Sequence, residues 1–249
     1  MSGHSKWATI KHKKGALDAK RGQLFSKIIK EITIAAKNGG KVDTNPRLRT
    51  AIQKAKDSNM PQDNIERAVK KGTGELPGVT YEEVTYEGYG QGGVAILVEA
   101  VTDNKNRASS EVRSIFSKKG GNMAGSGSVS WIFEKKGVFS VAKGAIEEDK
   151  LMDIVLEAGA EDMVTEDESY EIQCVPAEFE KVKKALDDNK IKPDASEITM
   201  VPKNTISLTG EDAKHIIALV EALEDHEDVQ NVYANFDIPD DVLKSIEPQ

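Results

Sequence analysis

The sequence predicts an α+β fold with three domains: an N-terminal three-helix bundle and two ferredoxin-like α+β sandwiches, of which the middle one is discontinuous. Three consecutive segments with helical apolar spacing occupy the N-terminal part, whereas strands alternate with single helices after Val79. The net charge changes sign at nearly the same place. Residues 1–74 carry 17 Lys and Arg against 6 Asp and Glu, a net charge of +11. The remainder carries 17 against 36, or −19, so the whole chain has a net charge of −8.

Residues 1–14 are basic with few apolar positions, which predicts an arm ahead of the bundle. The first helix has an apolar stripe and ends at Asn38-Gly39-Gly40. The second begins at Pro46, and the third begins at Pro61 and ends at Gly72, because proline suits a helix start and glycine a helix end. The inward residues of the first helix are Leu24, Phe25, Ile28, Ile29, Ile32 and Ala36.

The middle domain is predicted to begin as ββαβ. VTYEEVTYEG alternates like a half-buried strand, GGVAILVEAV is more continuously apolar, and YGQGG between them suits a hairpin turn. Asp103 or Asn104 can cap the following helix. VSWIFE is predicted to be the third strand.

The segment Gly137–Pro202 has the order βαββαβ, which is that of a ferredoxin-like unit. A helix and a strand remain after it, and this pair cannot form a domain alone. We expect it to complete the ββαβ segment, so that the βαββαβ domain is inserted into the middle one. The predicted domains are therefore 1–78, 79–136 joined to 203–249, and 137–202.

Composition narrows the classes of function. The single cysteine, Cys174, excludes an internal disulfide framework and suits a reducing, cytoplasmic compartment. No apolar run has the length of a membrane span, and the N-terminus lacks the apolar region of a secretory signal. Motifs for zinc hydrolysis, nucleotide binding and nucleophilic catalysis are missing. We therefore expect a non-enzymatic protein with no catalytic residues, metal, cofactor, membrane partner or small-molecule substrate.

A dense acidic stretch is the main sequence feature that suggests catalysis. Glu147 to Glu180 contains 13 Asp and Glu and one Lys. Clustered carboxylates can hold two metal ions in phosphodiesterases, so that activity is an alternative hypothesis. The spacing favours a solvated face instead, because three of the acids lie in the first turn of a helix, where the helix dipole favours them.

The basic end predicts nucleic-acid binding, because every element in it contributes cations while the rest of the chain has the opposite sign. Trp7 either stacks on a base or packs on the bundle. No base-reading pattern is evident, so we expect recognition of phosphate charge and shape, which favours structured RNA. The predicted contacts are Lys6, Trp7, Lys11, His12, Lys13, Lys14, Lys20, Arg21, Lys27, Lys30, Arg47, Arg49, Lys54, Lys56, Arg67, Lys70 and Lys71.

A second phosphate contact is predicted in the middle domain. Lys105 and Arg107 lie in the first turn of a helix, where free amides attract anions, although a capped helix with solvated ends is the alternative. Lys118 and Lys119 precede the loop Gly120–Ser128, whose amides can also reach a phosphate. That loop lacks the ending of a nucleotide-binding loop, which favours a plain connection between helix and strand.

Several long segments resemble one family. MSGHSKWATIKHKKGALDAKRGQLFSKIIKEI, NPRLRTAIQKAKDSNMPQDNIERAVKKGTG and YEEVTYEGYGQGGVAILVEAVTDNKNRASSEVRSIFSKKGGNMAGSGSVSWIFEKKG are similar to the YebC family, as is DIPDDV near the end. This family includes the mitochondrial translational activator of cytochrome oxidase. The resemblance implies a cytoplasmic, three-domain, non-enzymatic regulator of gene expression.

The resemblance implies two different nucleic-acid partners. One role is that of a DNA-binding transcriptional regulator at promoters. The other is a translation factor that binds the ribosome or ribosomal RNA and relieves stalling at proline-rich stretches. The role attached to the family favours DNA, whereas the lack of an evident base-reading helix favours RNA. A protein-only adaptor, which binds no nucleic acid, is a third hypothesis. The sequence therefore predicts DNA, ribosomal RNA or both as partner, with the ribosome as a further candidate.

Overall fold

The computed structural model describes residues 18–166 and 168–238, with side chains from residue 21 onward. The predicted arm, including Lys6, Trp7, Lys11, His12, Lys13 and Lys14, lies outside the described residues, as does the side chain of Lys20. None of the helices in this described part is long and apolar enough to cross a membrane.

The elements are numbered here in chain order. The N-terminal domain contains α1 (Asp18–Ala36), α2 (Pro46–Asp57) and α3 (Gln62–Thr73). Next come β1 (Glu82–Tyr89), β2 (Ala95–Thr102), α4 (Lys105–Lys118) and β3 (Asn122–Ala124). They are followed by β4 (Phe133–Ala142), α5 (Glu148–Glu157), β5 (Ala160–Thr165), β6 (Ser169–Cys174), α6 (Phe179–Asp188) and β7 (Ala195–Pro202). The last described elements are β8 (Ile206–Ser207), α7 (Gly210–Glu224), β9 (Val229–Ala234) and β10 (Phe236–Asp237).

The three-helix bundle is held together by apolar packing and by one buried asparagine. Its core includes Ile32, Leu48 and Ile65, one residue from each helix. The Asn45 side chain accepts a hydrogen bond from the Leu48 amide at 3.1 Å, which caps α2. Its Nδ2 also donates to the Ala35 and Gly39 carbonyls, so one side chain joins the end of α1 to the start of α2.

The middle domain is a four-stranded sheet in the order β3-β1-β2-β9, in which every neighbouring pair is antiparallel. Helices α4 and α7 pack on it through Phe116, Ile216 and Leu219. The α+β fold class is confirmed, and β9 shows that the C-terminal segment returns to this sheet. The strand order differs from the ferredoxin-like order, because the hairpin β1-β2 supplies the two central strands instead of one central and one edge strand.

The prediction that VSWIFE forms the third strand of this sheet is wrong. Ser130–Ile132 form a 3₁₀ turn, and Phe133 begins β4, a continuous strand of the other large sheet. The third strand is β3, within the predicted glycine-rich loop, where Met123 pairs with Gly88. Strand β4 also runs across the predicted boundary between residues 136 and 137. Alternating apolar residues gave no sign of the turn, because the turn is stabilised by distant contacts.

The second large sheet has the order β5-β6-β4-β7, all antiparallel, with α5 and α6 in the βαββαβ sequence predicted for this segment. Phe139 and Phe179 stack in its core with ring centroids 4.7 Å apart. Cys174 is fully buried beside them, as expected for a cysteine that acts as a small apolar residue.

Candidate nucleic-acid interface

Five of the predicted contacts lie exposed on the outward sides of α2 and α3. They are Lys54, Lys56, Arg67, Lys70 and Lys71. Within residues 18–166 and 168–238, none of these five forms an ion pair or a side-chain hydrogen bond. Lys56 and Lys70 line one shallow groove of about 400 Å³ between the helices, which also contains Glu66 and Glu75. This surface, called here the α2–α3 basic face, offers unneutralised cations to a phosphate.

Two further cations of the bundle are exposed but partly engaged. The Arg49 guanidinium donates to the Asp43 carbonyl at 3.0 Å and lies near that of Val42. Arg21 lies over the ring of Phe25, with 5.4 Å from its Cζ to the ring centroid. A guanidinium has five donors, so both residues retain hydrogen-bonding capacity toward a phosphate.

Lys27 and Lys30, which were predicted as nucleic-acid contacts, lie between the bundle and the middle domain. Lys27 Nζ donates to the Glu224 carbonyl at 2.5 Å. Lys30 Nζ donates to Asp228 Oδ1 at 2.5 Å and to the Glu227 carbonyl at 3.0 Å. Helical spacing shows which residues share a face, but it does not show what that face contacts.

Arg47 is also engaged in this inter-domain region. Its Nε donates to Glu31 Oε1 at 2.7 Å, and its Nη2 donates to Glu83 Oε1 of β1 at 2.6 Å. The hydrogen bonds that Arg47 donates to Glu31 raise the pKa of Arg47, and burial opposes this rise by a smaller amount. Arg47 therefore contributes less free positive charge to the surface than its position in the sequence suggests.

The carboxylate of Asp228 is the centre of the inter-domain contact. Its side chain is 1% exposed. Besides Lys30, it accepts hydrogen bonds from Thr102 Oγ1 and from Arg107 Nη2, each at 2.9 Å. Burial raises the pKa of Asp228, but the bonds from Lys30, Arg107 and Thr102 together hold it below its ordinary value. The residue is a buried anion with two cationic partners from different domains.

His226 extends this network to the surface. Its Nδ1 accepts the Asp228 amide at 3.1 Å, so the proton of the neutral ring lies on Nε2, which is 2.9 Å from Glu111 Oε2. Glu111, His226 and Asp228 could geometrically share a metal ion. Because Lys30 and Arg107 already neutralise Asp228, a further cation there would meet two positive charges, and the donor set does not fit a metal site.

The predicted anion site at the start of α4 is engaged by carboxylates instead. Lys105 pairs with Glu82 of β1, and Arg107 pairs with Asp103 as well as with Asp228. The Asn104 side chain caps the helix by accepting the Arg107 amide at 3.1 Å. The hydrogen bond that Arg107 donates to Asp228 is the main cause of the raised pKa of Arg107. These contacts fit the alternative of a capped helix.

The amides of the glycine-rich loop are directed toward a buried carboxylate. Glu87 of β1 is 5% exposed and accepts from the amides of Gly127 at 2.7 Å, Val129 at 2.6 Å and Ser130 at 2.9 Å. Burial raises the pKa of Glu87, but these bonds lower it by more. Three amides that a phosphate would need are therefore already used. Lys118 and Lys119 stay exposed beside the loop.

The acidic stretch is dispersed over the inserted domain. Glu148 accepts from Thr165 Oγ1 at 2.8 Å, and Glu161 pairs with Lys136 at 2.5 Å. In the described residues of this stretch, no three carboxylates lie close enough to share one metal ion. The dispersal of these carboxylates fits the interpretation of a solvated face better than that of a two-metal site.

Comparison with known proteins decides the family. The model of the TACO1/YebC protein N-terminal domain matches residues 5–75, and that of the TACO1/YebC second and third domain matches residues 81–236. This chain belongs to the TACO1/YebC family. A relative from Citrifermentans bemidjiense, named "Probable transcriptional regulatory protein", is 58% identical over 247 residues, covering 99% of this chain and 100% of the relative.

Two other similar proteins agree with this assignment. A relative of the same name from Acidobacterium capsulatum is 59% identical over 238 residues, covering 96% of this chain and 97% of the relative. The crystal structure of a conserved hypothetical protein, Aq1575, from Aquifex aeolicus has a TM-score of 0.82 and 49% identity, and covers 96% of this chain and 99% of that one. The resemblance to the YebC family is thereby confirmed.

Sequence reasoning missed two residues of this region, Glu87 and Asp228. A charged residue inside a strand, as Glu87 is, was the available signal, because such a residue needs a partner when buried. Asp228 lies among other acids in EDHEDVQ and is not distinguished by its neighbours.

Proposed function

We propose that this TACO1/YebC-family protein is a non-enzymatic regulator of gene expression that binds nucleic acid through the α2–α3 basic face. The observation that carries the proposal is the contrast among its cations. Lys54, Lys56, Arg67, Lys70 and Lys71 are exposed and without carboxylate partners in the described chain, whereas Lys30, Arg47 and Arg107 are paired. Unpaired surface cations are what a phosphate backbone requires.

The charge distribution of the whole chain supports the same orientation. The remainder of the chain has a net charge of −19, while residues 1–74 have +11. A polyanion is therefore attracted by the bundle and repelled by the inserted acidic domain, which steers it toward one end of the molecule.

The relatives are named as probable transcriptional regulatory proteins, which favours transcription as the process, and we propose promoter DNA as the first candidate partner. Ribosomal RNA is the second candidate, and one observation favours it. The basic face is formed by two helices of 12 residues each, and structured RNA is recognised largely through shape and phosphate contacts, which exposed lysines and arginines can make.

The proposal is tested by removing charge from the basic face. We expect Arg67→Gln, Lys70→Gln and Lys71→Gln together to weaken nucleic-acid binding at low salt. The slope of log affinity against log salt should decrease by about 2–3. Promoter DNA and ribosomal RNA fragments are titrated in parallel, and the tighter partner identifies the process.

A matched variant controls for net charge. Lys183, Lys184 and Lys192 are exposed in the inserted domain, and replacing them with Gln removes the same charge elsewhere. If both triple variants bind equally well, the basic face is not the contact. Incubating labelled DNA and RNA with Mg²⁺ tests the phosphodiesterase alternative, and cleavage that depends on acidic residues would contradict the non-enzymatic assignment.

A further inference from the structure

We propose that Trp131 and Tyr89 form a stacking site for an unpaired base of a bound nucleic acid. This inference deepens the proposed function, on which it rests, by naming a contact with single-stranded nucleic acid outside the helical domain. It concerns the middle domain, where the sequence predicted only phosphate contacts.

The exposure of Trp131 is the first observation. Trp131 is 64% exposed, more than any other large apolar residue in the described part of the chain, and Tyr89 is 37% exposed. Single apolar residues on a surface are common and need no explanation. Trp131 differs from a free surface residue because a hydrogen bond holds its ring, whereas an unrestrained ring keeps its rotamer freedom.

The two rings are held by one carbonyl. Tyr89 Oη donates to the Ser128 carbonyl at 2.9 Å, and Trp131 Nε1 donates to the same carbonyl at 3.1 Å. The polar atom of each ring is thus engaged with the protein, and Trp131 offers the larger exposed apolar surface, with Tyr89 partly exposed beside the same carbonyl. Bases stack on such surfaces without requiring a particular sequence.

The loop that supplies this carbonyl is itself fixed. Glu87 accepts the amides of Gly127, Val129 and Ser130, on both sides of Ser128. Ser128 Oγ donates to the Gly125 carbonyl at 2.7 Å. The rings are therefore positioned before any ligand arrives, which lowers the entropic cost of binding.

The carboxylate of Glu87 is buried and used by three loop amides, and the segment of the chain that carries Trp131 is otherwise basic. Between Glu111 and Glu134 the sequence has no acidic residue and carries Arg113, Lys118 and Lys119. Lys119 caps the end of α4 and lies three positions before Asn122, which pairs with Tyr89, so the exposed Lys119 belongs to the segment that leads into this edge of the sheet. Aromatic surface beside cations is the combination found in proteins that bind single strands.

Fluorescence of a single tryptophan tests the site directly. The chain has two tryptophans, Trp7 and Trp131, so Trp7→Phe leaves Trp131 as the reporter. We expect a uridine oligomer of about 15 nucleotides to quench its emission and a duplex of the same length to quench it much less. Unchanged emission with the oligomer, at concentrations that give binding, overturns the inference.

Affinity measurements separate stacking from charge. Trp131→Leu should weaken binding of the oligomer by about tenfold and leave duplex binding and the salt slope unchanged. Trp131→Phe should retain most of the affinity, because it keeps a ring. Leu156→Ala, at another exposed apolar residue, is the matched control.

The outcomes distinguish this inference from the proposed function. If the wild type binds the oligomer and Trp131→Leu binds equally tightly, the stacking site is wrong and the basic face stands. If the wild type binds neither oligomer nor duplex, both are wrong. If Trp131→Leu loses binding to a protein partner but not to the oligomer, the surface is a protein interface and the inference is overturned.

Discussion

Lys30 of α1 and Asp228, immediately before β9, form an ion pair of 2.5 Å between two domains, and both side chains are largely buried. The acid also accepts from Arg107 and Thr102 of the middle domain. Removing one partner of a buried pair leaves an uncompensated charge, which costs much more than losing a surface pair. The pair therefore fixes the bundle on the middle domain and withdraws Lys30 from the surface.

Replacing the acid should destabilise the protein. We expect Asp228→Asn to lower the free energy of unfolding by about 3 kcal/mol, because Lys30 and Arg107 lose their common anion. Urea unfolding of the wild type and the variant at neutral pH measures this difference in the free energy of unfolding. Glu211→Gln breaks an exposed pair with Lys214 and should leave the stability nearly unchanged.

The same residue predicts a pH dependence. The pKa of Asp228 in the folded protein lies below its ordinary value, so the unfolded chain takes up a proton first as pH falls. Its stabilising effect is complete above about pH 5 and is lost progressively below it. The stability difference between wild type and Asp228→Asn should shrink on acidification, and a constant difference from pH 7 to the acid transition would contradict this.

Two lysines that looked equivalent in the sequence should behave differently. Lys30→Gln should lower the unfolding temperature and leave nucleic-acid affinity nearly unchanged, because its ammonium is held by Asp228. Lys70→Gln should leave stability unchanged and reduce the salt slope by about 1. Thermal unfolding and titrations at several salt concentrations give both quantities, and identical behaviour of the two variants would show that pairing does not separate them.

Glu87 should control the order of the glycine-rich loop. A glutamine has one acceptor oxygen where the carboxylate has two, so Glu87→Gln leaves at least one buried amide poorly satisfied. We expect a loss of about 1–3 kcal/mol in stability. Hydrogen exchange at Gly127, Val129 and Ser130 should accelerate. Glu134→Gln, a change at an exposed residue shortly after the loop, serves as the control. Equal exchange in both variants would refute the role of Glu87.

Two glycines in helices of the bundle should respond to alanine with opposite signs. A Cβ at Gly72 would overlap the Thr33 carbonyl and lie 2.6 Å from Ala36 Cβ, so Gly72→Ala should destabilise by about 1–3 kcal/mol. Gly22 in α1 has nothing within 4 Å of its Cβ position, so Gly22→Ala should stabilise by about 0.5–1 kcal/mol. Urea unfolding of both variants measures these changes, and equal signs would contradict the close approach of α1 and α3.

Cys174 should be unreactive in the native protein. Burial is the main cause of its raised pKa, and the thiolate is the reactive form. A thiol reagent should therefore label it at the rate of unfolding. Rapid labelling under native conditions would show that the inserted domain opens locally around β6.

Much of the fold followed from patterns along the chain. Helical spacing predicted α1, α2 and α3, and the βαββαβ order of the inserted segment was predicted from its alternating elements. The short third strand of the middle sheet was missed, because Asn122–Ala124 lies between glycines and has no apolar alternation of its own. Its pairing with β1 stabilises it, and that pairing is not encoded in neighbouring residues.

The sequence by itself determined which residues share a helix face, where the net charge changes sign and to which family the chain is similar. Only the tertiary structure decided which cations stay free. Lys30 and Asp228 are 198 positions apart, and no local pattern links them. Periodicity records the geometry of one element, whereas the partner of a charged side chain depends on which elements pack together. For that reason Lys70 and Lys30, alike in sequence, have opposite surroundings in the folded protein.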